Sequence, residues 1–309
     1  MAKTILIFAF GPPQPPCSGR VLILALTLNG LNIVLDWYFI YHLNFEAMGA
    51  GLATLIASIL SCCLGLFFVI QLTPTIQLPT VTQLLDSAKL KSLFSLNFNL
   101  LIRTLFLITV FALFTNISSL LGVLVLAANT ISLKIIATGA YFIDGFAFSL
   151  EAIAGKSFGA QNSTILRSSL YLALTYTFLT VALFSIGIYF FAPELYGVFA
   201  SAAHHPSVIT LGASHRLFVI ATLFCAGAAY IFDGFFIGMA RGDILRRSMV
   251  FSTVLGFIPG AVLALAYSNV AFLWSALICF MLLRSITLGV HIKRVMRCVF
   301  DQSTVQDAP

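Results

Sequence analysis

Residues 21–41, VLILALTLNGLNIVLDWYFIY, form an apolar run whose one charged residue is Asp36. At ~1.5 Å rise per residue, a helix over this run is about as long as a bilayer's hydrocarbon core is thick, ~30 Å. A carboxylate at that depth costs roughly 2.5–3.5 kcal/mol on insertion scales. Either something compensates for that placement or the protein makes use of it. Whether the run lies in a membrane at all is decided by the rest of the chain.

Of 309 residues, 60% are apolar and only 8% are charged, and mean hydropathy is +1.06. A soluble domain carries about 25% charged residues. Most of this surface therefore cannot face water, and the chain reads as an all-α integral membrane protein. No stretch shows the period-2 alternation of a membrane barrel strand. The net charge of +6 invites a nucleic-acid reading. That is rejected, because Lys and Arg form no stripe with interleaved aromatics and sit in short loops between apolar runs. Cys17, Cys62, Cys63, Cys225, Cys279 and Cys298 show no CxxC spacing, so neither a disulfide nor a metal site is expected. There is no P-loop, HExxH or GxSxG, and an enzyme has little support.

Eight stretches are long and apolar enough to span: about 21–41, 47–72, 93–115, 121–147, 168–192, 208–237, 248–267 and 270–292. Tight polar or glycine-containing turns join several of them into helical hairpins. The first twenty residues, with PPQPP after a short apolar stretch, read as neither signal peptide nor span. Basic residues fall in alternate loops: Lys3 and Arg20, Lys89 and Lys91, Lys156 and Arg167, then Arg241, Arg246 and Arg247, and last Lys293, Arg294 and Arg297. The loops between hold His42, Glu46, Glu194, His204 and His205. By the positive-inside rule both termini are expected in the cytoplasm. The organisation expected is an atypical segment at 1–20, a two-helix unit at 21–72, a cytoplasmic linker at 73–92, a six-helix unit at 93–295 and a polar tail at 296–309.

Ionisable residues inside spans are functional candidates. Asn32 and Asp36 are spaced i, i+4 and share a helix face. Thr54 comes early in the next, antiparallel helix at about the same depth. Together they can form an oxygen-rich pocket for a proton or Na⁺, or a polar cluster that only joins helices. The fourth span holds Lys134 and Asp144, and Glu151 lies seven residues past Asp144 on the same face. Glu151, near the cytoplasmic end, is expected to be solvated or paired with a loop base. Asp233 recurs in a similar setting, IFDGFF beside FIDGFA. Arg103, in NFNLLIRTL, and Arg284, in FMLLRSITL, are either partly buried or snorkel to the cytoplasmic surface.

LNIVLDWYFIYHL with GAGLATLIAS resembles the hairpin that closes the first lobe of multidrug and toxic compound extrusion (MATE) transporters, in particular the DNA-damage-inducible protein F branch. LAANTISLKIIATGAYFIDGFAFSLEAIAGKSFGA and IFDGFFIGMARGDILRRSMVFS are similar to that branch's eighth and tenth helices with the loops after them. The resemblance covers about residues 21–295. It implies two lobes around a central cleft, and efflux of drugs or other amphiphilic cations by antiport with H⁺ or Na⁺. It implies a bacterial inner membrane and no cofactor beyond the coupling ion. Carried over residue by residue, the first-lobe ion site is Asn32, Asp36 and Thr54. Asp144, Asp233, Lys134, Arg103 and Asn99 are the candidate cleft residues.

Two departures from the family's pattern stand out. The family's first four helices, with an aspartate that partners the ion site, have no counterpart here, and Asn99 stands where an acid is expected. The chain thus resembles the C-terminal two-thirds of a transporter and reads as truncated, and whether it is active or inactive alone is left open by the sequence. The alternatives are a non-transporting membrane protein completed by a separate chain, or a lipid-linked-sugar flippase of the wider superfamily, which would favour a more basic cleft.

Overall fold

A computed structural model describes residues 18–72, 87–199 and 206–300. Most of the 1–20 segment, most of the 73–92 linker, His204, His205 and the tail past residue 300 lie outside the described residues. The described chain is helical with no strand, and eight of its helical stretches are long and apolar enough to cross a membrane. It divides into two units, Met1–Asp86 and Ser87–Pro309.

The first unit is a hairpin. Helix α1 (Ser18–Trp37) runs on into a π-helical turn, Tyr38–His42, and α2 (Glu46–Leu72) returns against it. The reversal uses left-handed backbone at Asn44 (φ 54°) and Glu46 (φ 45°). Asparagine takes that conformation readily, because its short polar side chain bonds locally. The arm of Arg20 crosses α2, with its guanidinium 5.7 Å from the centre of the Phe68 ring.

The second unit contains α3 (Ser87–Leu120), α4 (Val123–Gly159), α5 (Ser163–Phe190), the short α6 (Ala192–Phe199) and α7 (Pro206–Ser214), then α8 (Arg216–Gly238). After these come α9 (Gly242–Phe251), a π-helical turn Ser252–Phe257, α10 (Ile258–Tyr267) and α11 (Val270–Phe300). At 37 residues, α4 is about 55 Å long at ~1.5 Å per residue, so its end extends beyond the hydrocarbon. The span placed at 208–237 is divided at His215 into α7 and α8. Pro259 has no N–H for a bond back to Leu255, and the wider π turn just before it accommodates the mismatch.

The second unit is organised around α8, which packs on α4, α5 and α11. Leu223, Ala226, Ile231, Phe235 and Phe236 are wholly buried along it. Lipid is as apolar as these side chains, so no hydrophobic drive brings such helices together. Close packing and interhelical hydrogen bonds do so instead. Close packing comes from Gly234 and Gly238, four residues apart on one face of α8. A methyl at Gly234 would lie 2.4 Å from Ala147 O, and one at Gly238 would lie 2.3 Å from Glu151 O. Backbone therefore meets backbone where α8 crosses α4. Hydrogen bonding adds a buried relay across three helices. Trp274 Nε1 donates to Asn129 Oδ1 at 3.2 Å, and Asn129 Nδ2 donates to Ser118 Oγ at 2.8 Å.

Gly238→Ala is expected to push α8 off α4 and cost about 1–3 kcal/mol, the usual penalty for overpacking. Gly187→Ala on α5, where an added methyl meets nothing within 4 Å, is expected to leave stability unchanged. Thermal unfolding in detergent compares the two; equal midpoints would refute the tight crossing.

Candidate functional site

In the first unit, two of the three residues expected to form the ion pocket are joined directly. Asn32 Nδ2 donates to Thr54 Oγ1 at 3.2 Å, and Thr54 Oγ1 donates to Ala50 O at 2.9 Å. This bond fixes the register of α1 on α2 at the depth reached by counting residues from the turn. Asp36, one helical turn beyond Asn32, is not joined to either. Its Oδ1 is buried and has no hydrogen-bond partner. The π turn begins two residues later, at Tyr38. A buried carboxylate oxygen without a donor is costly. A proton, or a hard cation coordinated with the neighbouring amide and hydroxyl oxygens, removes that cost.

The second unit places its ionisable residues differently. Asp233 Oδ2 accepts hydrogen bonds from both Arg103 and Arg284. Arg103 comes from α3, Asp233 from α8 and Arg284 from α11, so one carboxylate oxygen ties three helices. Neither arginine snorkels: the side chain of Arg284 is 1% exposed and that of Arg103 is 16% exposed. The Arg284 guanidinium also lies 5.6 Å from the centre of the Tyr230 ring, a cation–π contact of the kind that strengthens out of water. Asp233 Oδ1, Arg284 Nη1 and Arg103 Nε are buried without partners.

Asp144 is half-buried on α4 and interacts electrostatically with Asp233, Arg103 and Arg284, without a hydrogen bond to any of them. Glu151 is also half-buried. Arg103 of α3 acts on it electrostatically, without an ion pair or hydrogen bond between the two. The remaining two candidates stand apart from this cluster. Lys134 is exposed. Asn99 is 8% exposed and packs against Gly242, where an added methyl would meet its Cβ at 3.1 Å. Sequence reasoning left Arg284 and Tyr230 out of the site. Arg284 carried a signal, a full charge deep in an apolar span. Its partner is 51 residues away on another helix, and no spacing rule reaches that far.

The MatE family model matches residues 100–262, more than half of the chain. The chain belongs to the MatE family. This is a family of membrane transporters, not of enzymes. The chain is 29% identical over 280 residues to DNA damage-inducible protein F of Escherichia coli (strain K12), an alignment covering 89% of this chain and 59% of that protein. It is 25% identical over 262 residues to Protein DETOXIFICATION 44, chloroplastic, of Arabidopsis thaliana, covering 83% and 47%. Its fold is similar to that of a Vibrio cholerae MATE transporter, with TM-score 0.80 and 17% identity, covering 91% of this chain and 64% of that one. The chain thus spans less than two thirds of the length of the relatives it matches.

Removing one member of a buried ion pair leaves a stranded charge and typically costs about 3–5 kcal/mol. Arg284→Gln is expected to cost that much. Arg103→Gln should cost less, because Arg103 is the more exposed partner and Arg284 remains on Asp233. Equilibrium unfolding of both variants in detergent tests the order, and a larger loss for Arg103→Gln would overturn it.

Proposed function

We propose that this MatE chain works in secondary active efflux of drugs or other amphiphilic, cationic small molecules, driven by antiport with H⁺ or Na⁺. In this reading the 21–72 hairpin belongs to the first lobe and 93–295 to the second. The membrane is a bacterial inner membrane with both termini in the cytoplasm, as the alternation of basic loops supports. Asn32, Asp36 and Thr54 hold the coupling ion, and no cofactor is needed.

The observation that carries the reading is the buried, unpartnered Asp36 Oδ1 beside the bonded Asn32–Thr54 pair. A structural glue would satisfy its polar groups within the hairpin, as the Trp274–Asn129–Ser118 relay does in the second unit. Asp36 is left with an open valence, which suits a group that gains and loses a cation during a cycle. When it is loaded, the charge cost falls and the hairpin can sit in apolar surroundings. When it is empty, the carboxylate favours a conformation that admits water or the substrate's positive charge. Such a difference in preference between two states is what couples an ion to a conformational change.

Purified protein in liposomes loaded with ethidium, a fluorescent cation, provides the test under an imposed pH or Na⁺ gradient. The wild-type chain is expected to move the dye in response to one of these gradients. Asp36→Asn is expected to reduce the rate to that of protein-free liposomes, and Thr54→Val to weaken it. Gradient-driven movement that is unchanged in Asp36→Asn, or absent in the wild type, would falsify the reading.

A further inference from the structure

Arg216 is the one Lys or Arg between residues 168 and 240. The bias that fills alternate loops with basic residues does not account for it, because it stands at one of the intervening junctions. The apolar stretch Ser163–Phe190 ends, and Arg216–Gly238 begins, at this junction. The Arg216 guanidinium lies 5.2 Å from the centre of the Tyr189 ring, one residue before the end of α5. Both groups therefore sit where hydrocarbon gives way to headgroups, the depth that tyrosine favours. The ring holds the guanidinium in place through a cation–π contact. Its charge is not neutralised: among the described residues the Arg216 side chain makes no ion pair or hydrogen bond. Glu194, the acid on the adjoining α6, is exposed and unpaired with it.

Arg216 forms one edge of a cavity of about 390 Å³ between α6, α7 and α8. The walls are mostly apolar, from Pro193, Ile209, Ala213 and Leu217. The two hydroxyl groups that line it offer it no proton. Thr210 Oγ1 donates to Pro206 O at 2.9 Å, and Ser214 Oγ donates to Leu211 O at 2.6 Å. Arg216 therefore supplies both the charge of the cavity and its free side-chain donors. The walls are also fixed in advance. Tyr196 of α6 is wholly buried against Gly212 of α7, where an added methyl would meet its ring at 2.1 Å. A cation is repelled here, and a purely apolar molecule leaves the guanidinium unmet. What fits is a molecule with an anionic head and an apolar body.

We propose that this cavity binds an anionic phospholipid, with the phosphate on Arg216 and the upper part of an acyl chain along Ile209, Ala213 and Leu217. A guanidinium suits a phosphate, because its planar fork of N–H donors matches two phosphate oxygens. A bilayer presents phosphates at this depth, and the apolar walls give a lipid a second hold that a soluble anion lacks. Leu217, 62% exposed, and Phe190, 68% exposed, carry the apolar surface on from the cavity toward lipid. A lipid seated here touches α6, α7 and α8 at once, and so steadies the break at His215. The site makes no use of Asp36 or of a gradient, so it stands or falls separately from the proposed efflux.

The test uses the purified chain in nanodiscs that contain a trace of phosphatidylglycerol with a photoreactive diazirine beside its glycerol. Labelled residues are mapped by mass spectrometry, with exposed Leu179 and Leu183 of α5 as the reference surface. The host lipid is either phosphatidylcholine, whose phosphate is paired with its own choline, or phosphatidylglycerol. At a fixed trace fraction, incidental contacts label equally in both hosts. Labelling of residues 206–217 is expected to exceed the reference severalfold in phosphatidylcholine and to fall to it in phosphatidylglycerol. Arg216→Gln is expected to remove the excess. Thr210→Trp, which fills the cavity and keeps the charge, should remove it too. No excess in the wild-type chain, or an excess that survives both variants, would overturn the proposal. Loss of the excess on adding inorganic phosphate would also overturn it, by assigning Arg216 to a soluble anion. If neither variant folds, the change of host lipid around the wild-type chain still decides.

Discussion

The second unit depends on a carboxylate shared by two guanidiniums. Helices in a bilayer gain nothing by hiding apolar side chains from lipid, so polar bonds and close backbone contact fix which helices meet and in what register. Asp233 supplies the bond, tying α8 to α3 and α11 through Arg103 and Arg284. Gly234 and Gly238 supply the close contact, one residue and five residues further along. The two devices need each other. Without the glycines α8 could not approach α4, and without the arginines the carboxylate would lie in a crossing that cannot open to water.

The two units treat a buried aspartate in opposite ways. Asp233 is committed, with one oxygen taken by two cationic donors. Asp36 is not, since the polar neighbours on its own hairpin bond to each other and leave its Oδ1 without a donor. A carboxylate shared by two arginines has its charge-assisted bonds made within the bundle. One without a donor has an oxygen still free to accept. Position in an apolar span alone does not distinguish the two; the donors around each acid do.

Much of this was legible in the sequence. Hydropathy located the eight spans because their length is set by the bilayer. The i, i+4 spacing of Asn32 and Asp36, with residues counted from the turn, brought Thr54 level with them, and the Asn32–Thr54 bond follows that placement. Local periodicity could not reveal the partners of Arg103 and Arg284, which are 130 and 51 residues from them in Asp233. A long helix also looks the same to hydropathy whether it is whole or broken. The break at His215 and the π turns at Tyr38–His42 and Ser252–Phe257 interrupt runs whose mean hydropathy reads as continuous span, although Ser214, His215 and Arg216 stand at the break. Only the second π turn has a visible cause, in Pro259.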